Sequence, residues 1–272
     1  MKFSAVRNRA LLICVVIATL LSSCGNGSKQ SLQKVREEIA EINSQCPVDM
    51  GIAGTVTGAA LDEGTSTVQY MLKPNAFMLN EAMFADQEAL LKKSLLLNLS
   101  PFEAERSGAV ELAEAGYNMA YIYSFPSGHK HTLTLTAAEI IDAAGGKMTP
   151  AERGEMLLKT RSELSRLIFP TKVDAYTTQT GVELLNDRLV HQFMIDEDAL
   201  GMLINDPQVS KDALYEGIVE DLKGSINDPA MRSEMEAVVA TGRSLVYHYT
   251  GSASGSELEV EITPETVRSL FH

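Results

Sequence analysis

Leu32, Val35, Ile39 and Ile42 recur every three or four residues, and that stripe predicts an amphipathic helix from about Gln30 to Ser44, stopped by Cys46-Pro47. The period then drops to two. A strand is predicted over Ala53 to Leu61, a turn at Asp62-Glu63-Gly64, and a second strand over Ser66 to Leu72 with Val68, Tyr70 and Leu72 on one face. Phe77 to Leu99, rich in Leu, Met, Ala and Lys, reads as one or two helices. Glu103 to Glu114 reads as another, with Gly116 as its C-cap. Met119 to Tyr123 is a strand, Pro126-Ser127-Gly128 a turn, and Leu133 and Leu135 mark the returning strand. Thr136-Ala137-Ala138-Glu139 has the spacing of a capping box, in which the threonine and glutamate side chains each take the other residue's backbone N–H at a helix start.

The order then repeats. Thr149-Pro150-Ala151-Glu152 starts a helix, a hairpin turns at Asn186-Asp187, another turns through Gly251 to Gly255, and Thr263-Pro264-Glu265 starts a last short helix. Leu32, Val35, Ile39 and Ile42 match Leu157, Thr160, Leu164 and Leu167 at an offset of 125, and Val48-Asp49 matches Val173-Asp174. Gln69 to Leu72 matches Gln192 to Ile195 at 123, which sets His191 in the place of Val68. Gly116 matches Gly242, and Tyr121 and Tyr123 match Tyr247 and Tyr249, at 126. A common order with small drifts at turns indicates a duplicated unit, residues 29–146 and 147–272. Each unit runs helix, β-hairpin, helices, β-hairpin. Hairpins imply an antiparallel sheet with helices over one face, so the expected class is α+β in two tandem modules.

The first 23 residues belong to neither module. Lys2, Arg7 and Arg9 precede an apolar run from Ala10 to Leu21, which suits an export signal and is short for a membrane span. Leu21-Ser22-Ser23-Cys24 resembles the lipobox of bacterial lipoproteins. That resemblance implies a signal peptide over residues 1–23, acylation of Cys24 by diacylglycerol and an amide-linked chain such as palmitate, and a tether over residues 24–28. No Asp follows the cysteine, which by the same resemblance favours the periplasmic face of the outer membrane. Asn43-x-x-Cys46-Pro47-Val48-Asp49, the following hairpin and the Tyr-x-Tyr strand are also similar to a family of small exported α+β domains of unknown function, found in lipoproteins of Gram-negative bacteria. The family implies an address and a fold, and no activity. The tandem layout is similar to that of secreted enzyme inhibitors in architecture alone.

Charge narrows the partners. The chain carries a net −13, and loss of the signal with its three positive residues takes it to −16. Such a chain is not expected to bind nucleic acid or anionic headgroups by charge, and it favours basic partners. Of three cysteines, Cys14 leaves with the signal and Cys24 is lipidated; Cys46, set opposite Phe169 by the repeat, is expected to be a small buried residue.

No motif announces chemistry. Ala253 stands where a nucleophile elbow needs serine, and Gly51, Gly54 and Gly58 do not make a phosphate loop. His129-Lys130-His131 offers two imidazoles to a metal but lacks a third ligand and reads as a solvated turn. Asp196-Glu197-Asp198 reads as charge at a helix N-terminus rather than a cation site. Tyr121, Tyr123, Tyr247 and Tyr249 form the candidate binding surface, a groove for a peptide or glycan, set against cross-strand packing beneath helices. His191 joins them, read as a buried, hydrogen-bonded histidine rather than a base. No catalytic residue, cofactor or metal is assigned. The expected function is a lipid-anchored, non-enzymatic binding or assembly module of the cell envelope, held to the membrane through Cys24 and meeting a protein partner there. The alternatives are an inhibitor or protective factor against an enzyme such as a lysozyme, and a hydrolase with an unrecognised site.

Overall fold

In the computed structural model the described residues are 32–49, 55–74, 81–99, 108–144, 148–197, 207–226 and 229–271. The expected signal segment and the lipobox-like Leu21 to Cys24 lie outside them. The described residues divide into two compact units, with the division at Thr149/Pro150. No helix among them is long and apolar enough to cross a membrane.

The first module begins with α1 (Leu32–Gln45), which buries Val35 and Ile42. Strand β1 (Val48–Asp49) pairs with β2 (Thr55–Asp62), and β2 pairs with β3 (Thr67–Lys73) around the predicted turn, where the Asp62 carboxylate accepts from Gly64 N at 3.0 Å. Helices α2 (Glu81–Leu99) and α3 (Gly108–Glu114) lead to β4 (Asn118–Ser124), β5 (Lys130–Leu135) and α4 (Ala137–Ala144). The sheet runs β1-β2-β3-β4-β5. Its hairpin pairs are antiparallel, and the two hairpins meet at its centre in a parallel pair, β3 with β4. The helical connection carries the chain back to the end where β3 began, so β4 must run the same way. Val68, Tyr70, Leu72, Tyr121, Tyr123, Leu133 and Leu135 form the core on one face of this sheet.

The second module repeats this topology. Its elements are α5 (Pro150–Ile168), β6 (Thr171–Lys172), β7 (Thr177–Leu184), β8 (Arg188–Ile195), α6 (Pro207–Gly224), α7 (Pro229–Thr241), β9 (Ser244–Gly251), β10 (Glu257–Ile262) and α8 (Pro264–Ser269). The sheet order is β10-β9-β8-β7-β6, with β8 and β9 parallel. The α+β class and the two tandem modules are thus present. The caps follow the sequence. Thr136 N donates to Glu139 Oε2 at 2.9 Å while Glu139 N donates to Thr136 Oγ1 at 3.2 Å, and Thr263 caps α8 with Pro264 at its first position.

Strand pairing revises the repeat register. Val48 pairs with Val56 and Thr171 with Gln179, and the cis bonds Cys46-Pro47 and Phe169-Pro170 correspond, so the first helices match at 123 rather than 125. Val48-Asp49 therefore corresponds to Thr171-Lys172, and Glu38 to Arg161. Next, Ala59 pairs with Tyr70 and Val182 with His191, which puts His191 in the place of Tyr70 rather than Val68. The reason is a turn two residues shorter in the second module, between the pairs Leu61–Val68 and Leu184–Leu189. Each module has a bulge at the same glycine, Gly58 or Gly181. Beside it the first helix satisfies the disturbed backbone. Asn43 bonds both the N–H and the C=O of Ala59 (2.7 and 2.9 Å), and Ser165 does the same for Val182 (3.3 and 3.0 Å). A side chain at Gly58 would press on the Asn43 amide.

Candidate functional site

The most concentrated chemistry lies inside the second module. On α5, Leu157, Arg161, Leu164 and Ile168 occupy one buried stripe, so the stripe carries an arginine in an otherwise apolar row. Glu234 interrupts the apolar row of Met231, Met235 and Val238 on α7 in the same way. The two helices approach closely at Gly154, where an added Cβ would stand 3.0 Å from the Ala237 carbonyl oxygen. Beneath them, β7 contributes Gln179 and β8 contributes His191.

These four side chains form one hydrogen-bonded line. Arg161 Nη1 donates to Glu234 Oε2 at 2.5 Å, and His191 Nε2 lies 3.1 Å from Glu234 Oε1. A carboxylate only accepts, so the ring proton belongs on Nε2. The other ring nitrogen, Nδ1, is 3.1 Å from Gln179 Nε2, which donates to it. Burial alone raises the Glu234 carboxyl, but the Arg161 charge and the hydrogen bonds from His191 and Arg161 prevail, and it sits at about 2. Gln179 Oε1 is buried with no hydrogen-bond partner. The His191 ring stacks on Tyr247 at 5.5 Å, and Phe193 stacks on Tyr247 and Tyr249.

Exposure decides what this arrangement does. Arg161 is 4%, His191 1%, Glu234 0% and Gln179 0% exposed. A substrate cannot reach any of them in this conformation, so the line joins two helices to the sheet and fixes how they pack. The sequence pointed to His191 as a buried, bonded histidine, and the structure places it so. It did not single out Arg161, Glu234 or Gln179. The signal was a charged residue on each of two apolar helical stripes, visible only once the stripes are drawn with their correct phase.

The remaining candidates fall elsewhere. Tyr121, Tyr123, Tyr247 and Tyr249 are 0–4% exposed, which corrects the reading of them as a binding surface: they face the helices and pack across strands. Period two put them on one face, and the helices cover that face. His129 bonds Glu81, with His131 at 4.0 Å from the same carboxylate and its ring against Phe84 and Phe125. Among the described residues no group of three His, Cys, Asp or Glu side chains is placed to hold a metal ion. Glu197 is the first residue of a helix, where the sequence placed it, and its carboxylate also accepts the backbone N–H groups of Ala253 and Ser254 at 2.9 and 2.6 Å, which staples the last hairpin turn. Asp198 lies outside the described residues. Cys46 is a free, half-buried thiol, and burial pushes its titration up, away from reactivity.

The chain matches no family model and no curated protein. A candidate secreted protein of Pseudomonas aeruginosa, PA3611, matches in structure with a TM-score of 0.33 and 12% identity, over 45% of this chain and 100% of that one. A likeness at that score carries no argument about function.

Proposed function

We propose that the protein is a lipid-anchored, non-enzymatic binding or assembly module of the cell envelope. The observation that carries this reading is where the chemistry-bearing side chains go. In the described residues, His191, Arg161, Glu234 and the four strand tyrosines all lie within module cores, so they hold shape rather than meet a substrate. Duplication of a unit that buries these side chains fits a scaffold that presents surfaces. The lipobox at Leu21 to Cys24 supports anchoring through Cys24.

The test is cross-linking in intact cells with wild type and Cys24→Ala, followed by mass spectrometry and a palmitate-labelling control. The expected result is a specific partner captured by the anchored form and loss of label in the variant. Wild type that takes up no label excludes the anchor, and no retained partner after mild extraction overturns the binding role. A second reading has its own support in the −16 charge left after signal removal, which suits capture of a basic enzyme such as a lysozyme. An unchanged lysis rate with excess protein disposes of it.

A further inference from the structure

A β-sheet ends in strands whose outer backbone groups lack a partner, and folded proteins protect such edges with short strands, charges or covering segments. One edge of each sheet here is short: β1 (Val48–Asp49) and β6 (Thr171–Lys172) have two residues each. The opposite edges are β5 and β10, with six residues each. The hairpin bonds fix which residues of these two strands face outward. Phe125 N donates to His129 O at 2.9 Å, so His131, Leu133 and Leu135 spend their backbone groups on β4, while Lys130, Thr132 and Thr134 turn theirs away. Gly251 N donates to Ser256 O at 2.8 Å, and by the same alternation Glu257, Glu259 and Glu261 face away from β9.

The two long edges hold the same place in the repeated topology and share one exposure pattern, but their outward residues differ. In β10 they are all glutamates, and a row of glutamates repels its own copy. In β5 they are one lysine, at the first position, and two threonines, all exposed. Threonine favours strands and pairs well with threonine across them. Among the described residues no strand lies beyond β5, and the outward N–H and C=O groups of Thr132 and Thr134 find no partner. Three of the edges are therefore closed by shortness or by charge, and β5 is left open.

We propose that β5 docks on the β5 of a second copy of this chain, antiparallel about Thr132, joining the two first-module sheets into one. In this register Thr132 faces its own copy and Lys130 faces Thr134, so no like charges meet, and the outward groups exchange about six hydrogen bonds. The same pairing at β10 would set Glu259 against Glu259 and Glu257 against Glu261, so that edge is closed to it. The two-fold contact therefore ends at two copies and does not grow into a filament. The negative charge of the chain opposes self-association, yet β5 itself carries no acid, and at physiological salt charges more than about 8 Å away are largely screened. This proposal deepens the assembly role above and rests on it. The two fail separately, because a search for partners in cells does not depend on whether copies pair.

The experiment is disulfide trapping on the full chain in mild detergent, with sedimentation velocity for the mass. Thr132→Cys should cross-link to its own copy under mild oxidation, since facing residues of such a pair stand about 5.5 Å apart at Cα, within disulfide reach. Thr134→Cys alone should cross-link about tenfold more slowly, and mixing it with Lys130→Cys should restore the product. Wild type is the blank for Cys46. Thr132→Glu gives β5 the residue that β10 carries at Glu259, so it should keep the melting temperature and weaken dimerisation about tenfold. Wild type that stays monomeric as its concentration rises, Thr134→Cys that cross-links as fast as Thr132→Cys, or a dimer indifferent to Thr132→Glu overturns the proposal. A monomer that still holds an envelope protein in intact cells overturns this contact alone and leaves the binding role standing.

Discussion

Arg161 and Glu234 are partners in a place where neither is tolerated alone. The ion pair itself adds little net stability, because both charges leave water to form it. Removing one partner strands the other, at about 3–5 kcal/mol. Arg161→Met and Glu234→Leu should therefore each lower the urea midpoint of the second module strongly, while the two together should recover much of the loss. Equal and additive losses in a double-mutant cycle would contradict the pairing. The pH dependence has a definite sign. The folded Glu234 carboxyl lies at about 2, below its ordinary value of 4.5, so its contribution is full above about 4.5 and fades as pH falls toward 2. The stability gap between wild type and Glu234→Gln should hold flat from neutral pH to about 4.5 and close below it.

At the scale of elements, what could be read in advance was whatever local chemistry dictates. The turn at Asp62, the hairpins at Asn186 and Gly251, and the capping box at Thr136 are set by residues within four of one another, and each is where its residues placed it. The cap can be tested: Thr136→Ala should cost about 1 kcal/mol of first-module stability in chemical denaturation. Pairing between distant strands carries no such local mark. Nothing in Ser66 to Leu72 states that β3 will lie parallel to β4, fifty residues on. The register of His191 was missed for a related reason: alignment by residue type matched Gln-Tyr-Met-Leu to Gln-Phe-Met-Ile, whereas the shorter turn slides the strand by two. A slip of two preserves the buried face, so the apolar pattern could not reveal it. The same slip hid the correspondence of His191 with Tyr70, and with it the contrast between the two cores.

As a whole molecule, the chain is two units that each close their own core. Val68, Tyr121 and Leu135 fill one, and Leu189, Tyr247 and Ile262 fill the other, each with its own five-stranded sheet. With cores this separate, the second module should fold alone. Residues 148–272 expressed without the rest should melt cooperatively, and Glu234→Gln should lower that midpoint as it does in the full chain. A fragment that shows no cooperative transition would mean that the first module is part of its core.

The opposite charges at Glu38 and Arg161 also bear on how the two copies can exchange sequence. Copying α5 into the first half brings an arginine to the place of Glu38, whose side chain reaches solvent. Copying α1 into the second half sets Glu38 in the place of Arg161 beside Glu234, two carboxylates out of water where an ion pair stood. Recombination between the repeats is therefore open in one direction and closed in the other, and the second module is shielded from being overwritten by its twin.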